Sequence, residues 1–221
     1  MTALIDLREV GLEVTSPVPT RILHGVNLEI RAGCSLAILG PSGAGKTTLA
    51  SIIGALQAPS SGSYRFAGAE VLGRSPGRLA AFRARHMGFV FQNSHLIDER
   101  TAHANVDLGI VDTNLSPDER AARIGEALSS VGLAHVAHRR AAHLSGGERH
   151  RVALARALVK QPSVVIADEP TAALDQATGQ DILDLLATVP GRGATLIVVS
   201  HDQRAARMAD EVVTVIDGAV R

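Results

Sequence analysis

The residues with the clearest chemical role form a glycine-rich run at positions 40–47 that ends in lysine and threonine. The run fits the pattern G-x-x-x-x-G-K-[ST], in which glycines let backbone N–H groups close around phosphate oxygens. The lysine of such a loop reaches the β- and γ-phosphates of a nucleotide, and the hydroxyl after it holds Mg²⁺. The residues expected to contact the nucleotide are Gly40, Pro41, Ser42, Gly43, Ala44, Gly45, Lys46, Thr47 and Thr48.

Two adjacent carboxylates, Asp168 and Glu169, follow an apolar run at residues 164–167. A strand of this kind beside the phosphate loop brings Asp168 near Mg²⁺, which needs an acidic partner. Glu169 then faces the γ-phosphate side, where it can orient or deprotonate water. Apolar runs often end in acids at a protein surface, so the phosphate loop upstream is what favours the catalytic interpretation.

A second candidate anion site lies at residues 144–148, which read Leu-Ser-Gly-Gly-Glu before a predicted helix. A serine and two glycines at a helix N-terminus present free N–H groups and the positive end of the helix dipole. The same residues also fit a plain capping box, with Ser145 as N-cap and Glu148 three positions later. Residue types alone leave both interpretations open.

The elements that must position these residues alternate between strands and helices. An apolar run at 35–39 predicts the buried strand that leads into the phosphate loop, and the residues after the loop predict a helix. Alternating or apolar runs predict further strands at 4–14, 26–30, 64–66, 163–167, 194–200 and 211–216. Helices are predicted at 47–56, 147–161, 180–189 and 203–208.

The segment from 82 to 144 has a mostly helical pattern. Its clearest helix begins at Ser116, with Pro117 at the first position and Glu119 completing a capping box, and runs to Gly132. The chain is therefore predicted as an α/β sheet interrupted by a helical insert.

Composition narrows the class of protein. The 221 residues are 46% hydrophobic but only 2% aromatic, which predicts an aliphatic core of the kind found in parallel sheets covered by helices. Equal numbers of acidic and basic residues, 22 each, argue against a nucleic-acid-binding surface. One cysteine excludes an intrachain disulfide framework. No apolar run approaches the ~18 residues of a membrane span, and no signal peptide is evident, so we expect a cytoplasmic location.

The order of the motifs resembles that of the ABC-transporter ATPases. In that family, Leu-Ser-Gly-Gly-Glu is the signature that lies between the phosphate loop and the Asp-Glu pair. Residues 89–92, ending in Gln92, are similar to the Q-loop, and residues 173–175, ending in Asp175, to the D-loop. His201, within residues 198–202, is similar to the switch histidine. The resemblance covers essentially the whole chain.

The resemblance implies a fold and a domain organisation. We expect an α/β P-loop NTPase (RecA-like) core with an N-terminal antiparallel β subdomain and an ABC-specific α-helical insert. The chain would be a single ABC ATPase domain over residues 1–221. Its core would span about 1–92 and 145–221, and its helical subdomain about 93–144.

The resemblance also implies roles in ATP hydrolysis. The catalytic residues would be Lys46, Gln92, Glu169 and His201, and the Mg²⁺ ligands Thr47, Gln92 and Asp168. Two subunits would pack head to tail, so that each nucleotide held by one phosphate loop is covered by the partner subunit. The covering residues would be Ser145, Gly146, Gly147, Glu148 and Asp175.

The adenine contact departs from the family pattern. Members usually place an aromatic residue in the N-terminal strand region to stack on adenine, whereas this chain has no aromatic residue before Tyr64. Val14 is the predicted replacement, with a share of the contact from loop residues near Pro17 and Pro19. We therefore expect weaker adenine discrimination.

Within the family, residues 88–92, 101–106 and 144–149 are most similar to one group of ATPases. This group includes the lipoprotein-release (LolD-like), macrolide- or peptide-efflux (MacB-like), heme-efflux (HrtA-like) and cell-division (FtsE-like) proteins. The implied partner is an integral-membrane permease that docks near the Q-loop and helical subdomain, on the cytoplasmic face of the inner membrane. The alternatives are a regulatory ATPase of the cell-division type and a soluble ABC protein. The latter usually carries two nucleotide domains or a long coiled coil.

Overall fold

A computed structural model of the chain describes residues 3–15 and 18–221. Within those stretches, strands form two separate sheets. The strands are β1 (Ala3–Val14), β2 (Thr20–Arg31), β3 (Ser35–Leu39), β4 (Ser61–Phe66), β5 (Ala69–Glu70), β6 (Met87–Phe91), β7 (Val164–Asp168), β8 (Thr195–Val199), β9 (Glu211–Ile216) and β10 (Ala219–Val220).

Helices cover the larger sheet and form most of the middle of the chain. The α-helices are α1 (Lys46–Ile53), α2 (Pro76–His86), α3 (Ala102–Asp107), α4 (Pro117–Ser130), α5 (Gly146–Leu158), α6 (Gln176–Ala187) and α7 (Gln203–Met208). Short 3-10 helices lie at Leu108–Ile110, Ala134–Val136, Ala141–His143 and Pro190–Arg192. Among these described residues, no helix has the length and apolar character needed to cross a membrane.

The larger sheet has the strand order β10-β9-β3-β8-β7-β6 and is parallel except at β10. Parallel strands have their carboxyl ends at one edge, and loops at that edge form ligand sites in open α/β sheets. The strand that ends at Asp168, β7, and the strand before the phosphate loop, β3, are not neighbours in this sheet. Strand β8 lies between β3 and β7, because strand order is set by long crossovers that leave no local pattern.

The two faces of the larger sheet are both buried, as the aliphatic composition predicted. In β7, Val165 and Ala167 pack into one apolar cluster, while Val164 and Ile166 pack into the other. Successive side chains of a strand point to opposite faces, so an unbroken apolar run is what a doubly covered strand requires. The two clusters fix the sheet from both sides and hold its carboxyl edge in place.

The smaller sheet is antiparallel, with the order β2-β1-β4-β5. Strand β2 begins at Thr20, well before the predicted start at Val26. Its first half was missed because irregular register between β1 and β2 breaks the alternating pattern. Glu9 and Gly25 both have positive φ at this irregularity, 50° and 65°. The α/β fold class with an antiparallel β subdomain is confirmed.

The predicted helical stretch from 82 to 144 contains one strand that the sequence analysis missed. Strand β6 pairs in parallel with β7, from Met87 opposite Val164 to Phe91 opposite Asp168. A five-residue apolar run cannot be distinguished from a helix segment by periodicity alone. The capping box at α4 is present as predicted, because Ser116 accepts from the Glu119 N–H and the Glu119 carboxylate accepts from Ser116.

Candidate functional site

The phosphate loop connects the carboxyl end of β3 to the N-terminus of α1. Gly40 has φ 146°, and a Cβ at this position would lie 2.1 Å from the Val215 carbonyl oxygen of β9. Gly45 is the N-cap of α1 with φ 101°, and no side chain caps the first N–H groups of this helix. Uncapped N–H groups at a helix start are suited to binding phosphate oxygens.

Lys46 is the first residue of α1 and is only 6% exposed. Its Nζ donates to the Gly40 and Pro41 carbonyl oxygens, each at 2.9 Å. These contacts hold the ammonium group across the mouth of the loop. A lysine in this position supplies positive charge where phosphates would lie.

Thr47 of α1 and Asp168 at the end of β7 bring two oxygen ligands together, although β7 and the strand before the phosphate loop, β3, are not neighbours. The Thr47 hydroxyl donates to Asp168 Oδ1 at 3.2 Å. Burial raises the pKa of the Asp168 carboxyl, with a smaller contribution from Glu169, while the hydrogen bond from Thr47 opposes the shift. A hydroxyl and a desolvated carboxylate beside a phosphate loop fit the oxygen ligands that Mg²⁺ prefers.

Glu169 and His201 form a pair at the carboxyl ends of β7 and β8. His201 Nδ1 lies 3.0 Å from Glu169 Oε1 and 2.9 Å from Oε2. Glu169 has φ 48°, and its N–H donates to the Val199 carbonyl oxygen at 2.8 Å. A glutamate rarely adopts this left-handed conformation, and such backbone strain is common at functional sites.

Most of these groups line one cleft of about 710 Å³, whereas Asp168 does not line it and contacts it through Thr47. The predicted site residues that line it are Ser42, Gly43, Gly45, Lys46, Thr47, Thr48, Gln92, Glu169 and His201. Ile22 and Ala172 also line it and were not predicted. No local motif marks these two residues, since the fold alone brings β2 and the segment after Glu169 to the cleft. The remaining loop residues, Gly40, Pro41 and Ala44, form the backbone around it.

The signature residues do not line this cleft. Ser145 is the N-cap of α5 and forms a capping box with Glu148. The Glu148 pKa is lowered chiefly because its carboxylate accepts the Ser145 N–H. A Cβ on Gly147 would lie 2.5 Å from Thr178 Cγ2 of α6. The signature therefore packs beside the N-terminus of α6, where Asp175 is the N-cap.

Val14 also lies outside the cleft. It is half-buried at the end of β1, where it pairs with Thr20 of β2. Pro17, named with it for the adenine contact, falls outside the described residues, and Pro19 is exposed. Of the residues that line the cleft, Ile22 is an apolar side chain close to the phosphate loop.

His150 connects the signature helix to the Q-loop, a role that the sequence analysis missed. Its ring is buried, with Nδ1 2.9 Å from the Gly146 carbonyl oxygen and Nε2 3.0 Å from the Gln92 carbonyl oxygen. The spacing of four residues from Gly146 places this histidine one helical turn along α5. That spacing could have suggested the first contact, whereas the contact with Gln92 depends on the fold.

Comparisons with known proteins agree with this geometry. The family model described as ABC transporter matches residues 23–172. The macrolide export ATP-binding/permease protein MacB of Azoarcus sp. (strain BH72) is 41% identical over 99% of this chain and 34% of its own length. MacB 1/2 of Paracoccus denitrificans (strain Pd 1222) is 43% identical over 98% of this chain and 33% of its own.

Among solved structures, the dimeric ATP-binding cassette MJ0796 bound to ADP and Pi superposes with a TM-score of 0.90. It is 35% identical, and the match covers 98% of this chain and 96% of that one. The chain thus spans about a third of the length of the MacB proteins, but nearly all of a separate ATP-binding cassette.

Proposed function

Because this chain belongs to the ABC-transporter ATPases, we propose that it drives a membrane permease of the export or mechanotransmission type by hydrolysing ATP as a head-to-tail homodimer. The observation that carries the proposal is that the motifs of this family lie on two separate surfaces of the chain. Lys46, Glu169 and His201 line one cleft, whereas the signature serine Ser145 does not line it. One subunit then holds half of each site, and a second copy supplies the other half.

Within its own half, the chain binds and orients the nucleotide. Lys46 and the N–H groups at the start of α1 bind the β- and γ-phosphates. Thr47, Asp168 and Gln92 would hold Mg²⁺, which neutralises phosphate charge during phosphoryl transfer. Glu169 orients and deprotonates the attacking water. His201, 3.0 Å from the Glu169 carboxylate, keeps that carboxylate aligned with the γ-phosphate.

The partner subunit completes the site. Ser145 and Gly146 are exposed at the N-terminus of α5, with Gly147 buried beside them, and this helix start can bind a γ-phosphate held by the other copy. Glu148 and Asp175 hold the backbone of this surface by capping α5 and α6. ATP becomes part of the dimer interface, so its hydrolysis loosens the dimer.

A groove between α2 and the 3-10 helix Leu108–Ile110 is the proposed permease dock. It measures about 650 Å³, and alanines of α2 form part of one wall. The residues that line it are Ala80, Ala81, Ala84, Arg85, Leu108, Gly109, Val111, Asp112, Thr113 and Lys160. Such a dock puts the ATPase on the cytoplasmic face of the membrane. The joined names of the MacB relatives, ATP-binding and permease, support a partner of this class.

The composite site is tested with the substitution Glu169→Gln. Removing the general base lowers ATP turnover by a factor of about 10²–10⁴ and traps ATP at the interface. We expect an ATP-dependent dimer in gel filtration, absent with ADP and absent in the double variant Lys46→Met/Glu169→Gln. A Glu169→Gln chain that stays monomeric at saturating ATP would contradict the composite site.

The partner is tested by tagged pull-down from detergent-solubilised membranes of the native host, read by mass spectrometry. We expect a stoichiometric permease with the wild-type chain. Val111→Asp, at a 57% exposed valine in the groove, should abolish its recovery. Val212→Asp, at a 47% exposed valine on β9, is the matched control and should retain it. Recovery of soluble proteins alone would contradict the transport role.

A further inference from the structure

Arg204 lies in the first turn of α7, three residues after His201, and forms a bridge between two loops of the site. Its Nε and Nη2 both contact Asp202 Oδ2 at 2.7 Å. Its Nη1 donates to the Gln176 carbonyl oxygen at 2.9 Å. The side chain is 25% exposed, so these contacts are partly shielded from water.

The two ends of this bridge adjoin functional residues. Asp202 follows His201 directly and is the N-cap of α7, because its side chain accepts from the Arg204 N–H at 2.8 Å. Gln176 follows Asp175 directly and is the first residue of α6. The guanidinium group therefore joins the loop that carries His201 to the loop that carries Asp175.

Packing around the bridge leaves the Arg204 guanidinium group little room to move. A Cβ on Gly179, one turn into α6, would lie 3.3 Å from Arg204 Nη2 and 3.4 Å from Thr171 Cβ. A larger side chain at Gly179 would push the guanidinium group away from α6. The planar guanidinium group suits this position, because its N–H donors can bind the Asp202 carboxylate and the Gln176 carbonyl oxygen at the same time.

We propose that Arg204 is a positioning residue for ATP hydrolysis, which couples the placement of His201 to the placement of the D-loop. The inference rests on the proposed function, in which Asp175 lies at the interface with the second copy. Closure of the dimer shifts the D-loop together with the start of α6, which Asp175 caps, and Arg204 transmits that shift from Gln176 to Asp202 and hence to His201. The histidine, which already lies 3.0 Å from the Glu169 carboxylate in the single chain, is then held in that alignment when the partner subunit is in place.

The test compares Arg204→Met and Arg204→Lys in the full chain, with Arg207→Met as a matched control. Arg207 is exposed on the same helix. ATPase kinetics and melting temperature are measured for each variant. Arg204→Met should lower kcat about tenfold, as expected for a misaligned catalytic group, while KM for ATP stays within about twofold.

Arg204→Lys separates the coupling role from a structural one. A lysine keeps the charge beside Asp202, but its single ammonium group cannot contact Asp202 and Gln176 in the same way. We expect a melting temperature near that of the wild type with kcat still lowered. The control Arg207→Met should match the wild type in both kcat and melting temperature.

Two outcomes would overturn the inference while leaving the proposed function intact. One is a kcat within about twofold of wild type in both Arg204 variants, while Glu169→Gln is inactive. The other is a parallel loss of kcat, ATP affinity and melting temperature in Arg204→Met that Arg204→Lys fully restores. A wild-type chain without ATPase activity would instead contradict the proposed function itself, and the inference with it.

Discussion

At the scale of single residues, the site depends on charges that the fold holds partly away from water. Asp168 has a raised pKa because burial disfavours its ionised form. Lys46 is almost fully buried, and its Nζ is satisfied by two carbonyl oxygens. Both groups cost stability without the nucleotide and Mg²⁺, whose opposite charges would offset that cost. Such costs are common at catalytic sites.

The free-energy cost of burying the ionised Asp168 carboxylate predicts that the stability difference between the wild type and Asp168→Asn depends on pH. Because its folded-state pKa is raised, the cost is fully present above that pKa and disappears below the unfolded-state pKa. In EDTA at pH 7, Asp168→Asn should therefore raise the melting temperature by about 2–4 °C, and the gain should vanish as pH falls towards 3.

ATP turnover of Asp168→Asn with Mg²⁺ should fall by a factor of about 10² or more. Calorimetric scans across pH and a phosphate-release assay check both effects. Asp181→Asn, at an exposed position of α6, is the control and should change neither. Equal melting temperatures for Asp168→Asn and the wild type at pH 7 would contradict the burial argument.

At the scale of elements, the phosphate loop is held by strands at the far end of the chain. The turn between β9 and β10 reaches it, because the Gly218 N–H donates to the Ala44 carbonyl oxygen at 3.1 Å. The Gly218 carbonyl oxygen accepts from the His24 N–H at 2.9 Å, which joins the same turn to β2. The last hairpin therefore braces the loop from outside the cleft.

This brace predicts different effects for two glycine substitutions with similar backbone strain. Gly218 has φ 74° and Gly68 has φ 79°, so alanine costs about 1–2 kcal/mol of conformational strain at either position. A Cβ at Gly218 would also lie 2.3 Å from the Ile22 carbonyl oxygen, whereas nothing lies within 4 Å at Gly68. Gly218→Ala should weaken MgATP binding about tenfold, measured by equilibrium titration, and Gly68→Ala should not. Equal affinities for the two variants would show that the hairpin does not position the loop.

At the scale of the whole molecule, the chain separates its chemistry into two surfaces. The phosphate loop, Glu169 and His201 line one cleft, and Asp168 contacts it through Thr47. The signature and the D-loop meet at the N-termini of α5 and α6. A head-to-tail dimer would place each surface against the opposite one of its partner. Inactive variants of the two surfaces should therefore complement each other.

Mixing Lys46→Met with Ser145→Arg tests this arrangement. A mixed dimer contains one fully wild-type site, so an equal mixture should recover about a quarter of the wild-type sites, since about half of the dimers are mixed. ATPase activity of the mixture checks the expectation. Mixing Lys46→Met with Glu169→Gln is the control, because both changes affect the same half and every site stays damaged. Equal activity in the two mixtures would contradict a composite site.

The sequence by itself determined the positions of the motifs, of the buried strands and of the capping boxes. The glycine-lysine run, the apolar residues before Asp168 and Ser116 with Glu119 depend on neighbouring residues, so each could be predicted without the fold. The motif order was enough to predict the family. These predictions succeeded because backbone conformation and amphipathic pattern are set over a few residues.

The tertiary structure alone decided which distant residues meet. It placed β8 between β3 and β7, gave Glu169 its left-handed conformation, and brought His150 to Gln92 and Arg204 to Gln176. It also kept Ser145 out of the cleft that holds Lys46. These contacts join segments far apart in the chain, and they follow from the packing of helices on both faces of one sheet, which no short stretch of sequence encodes.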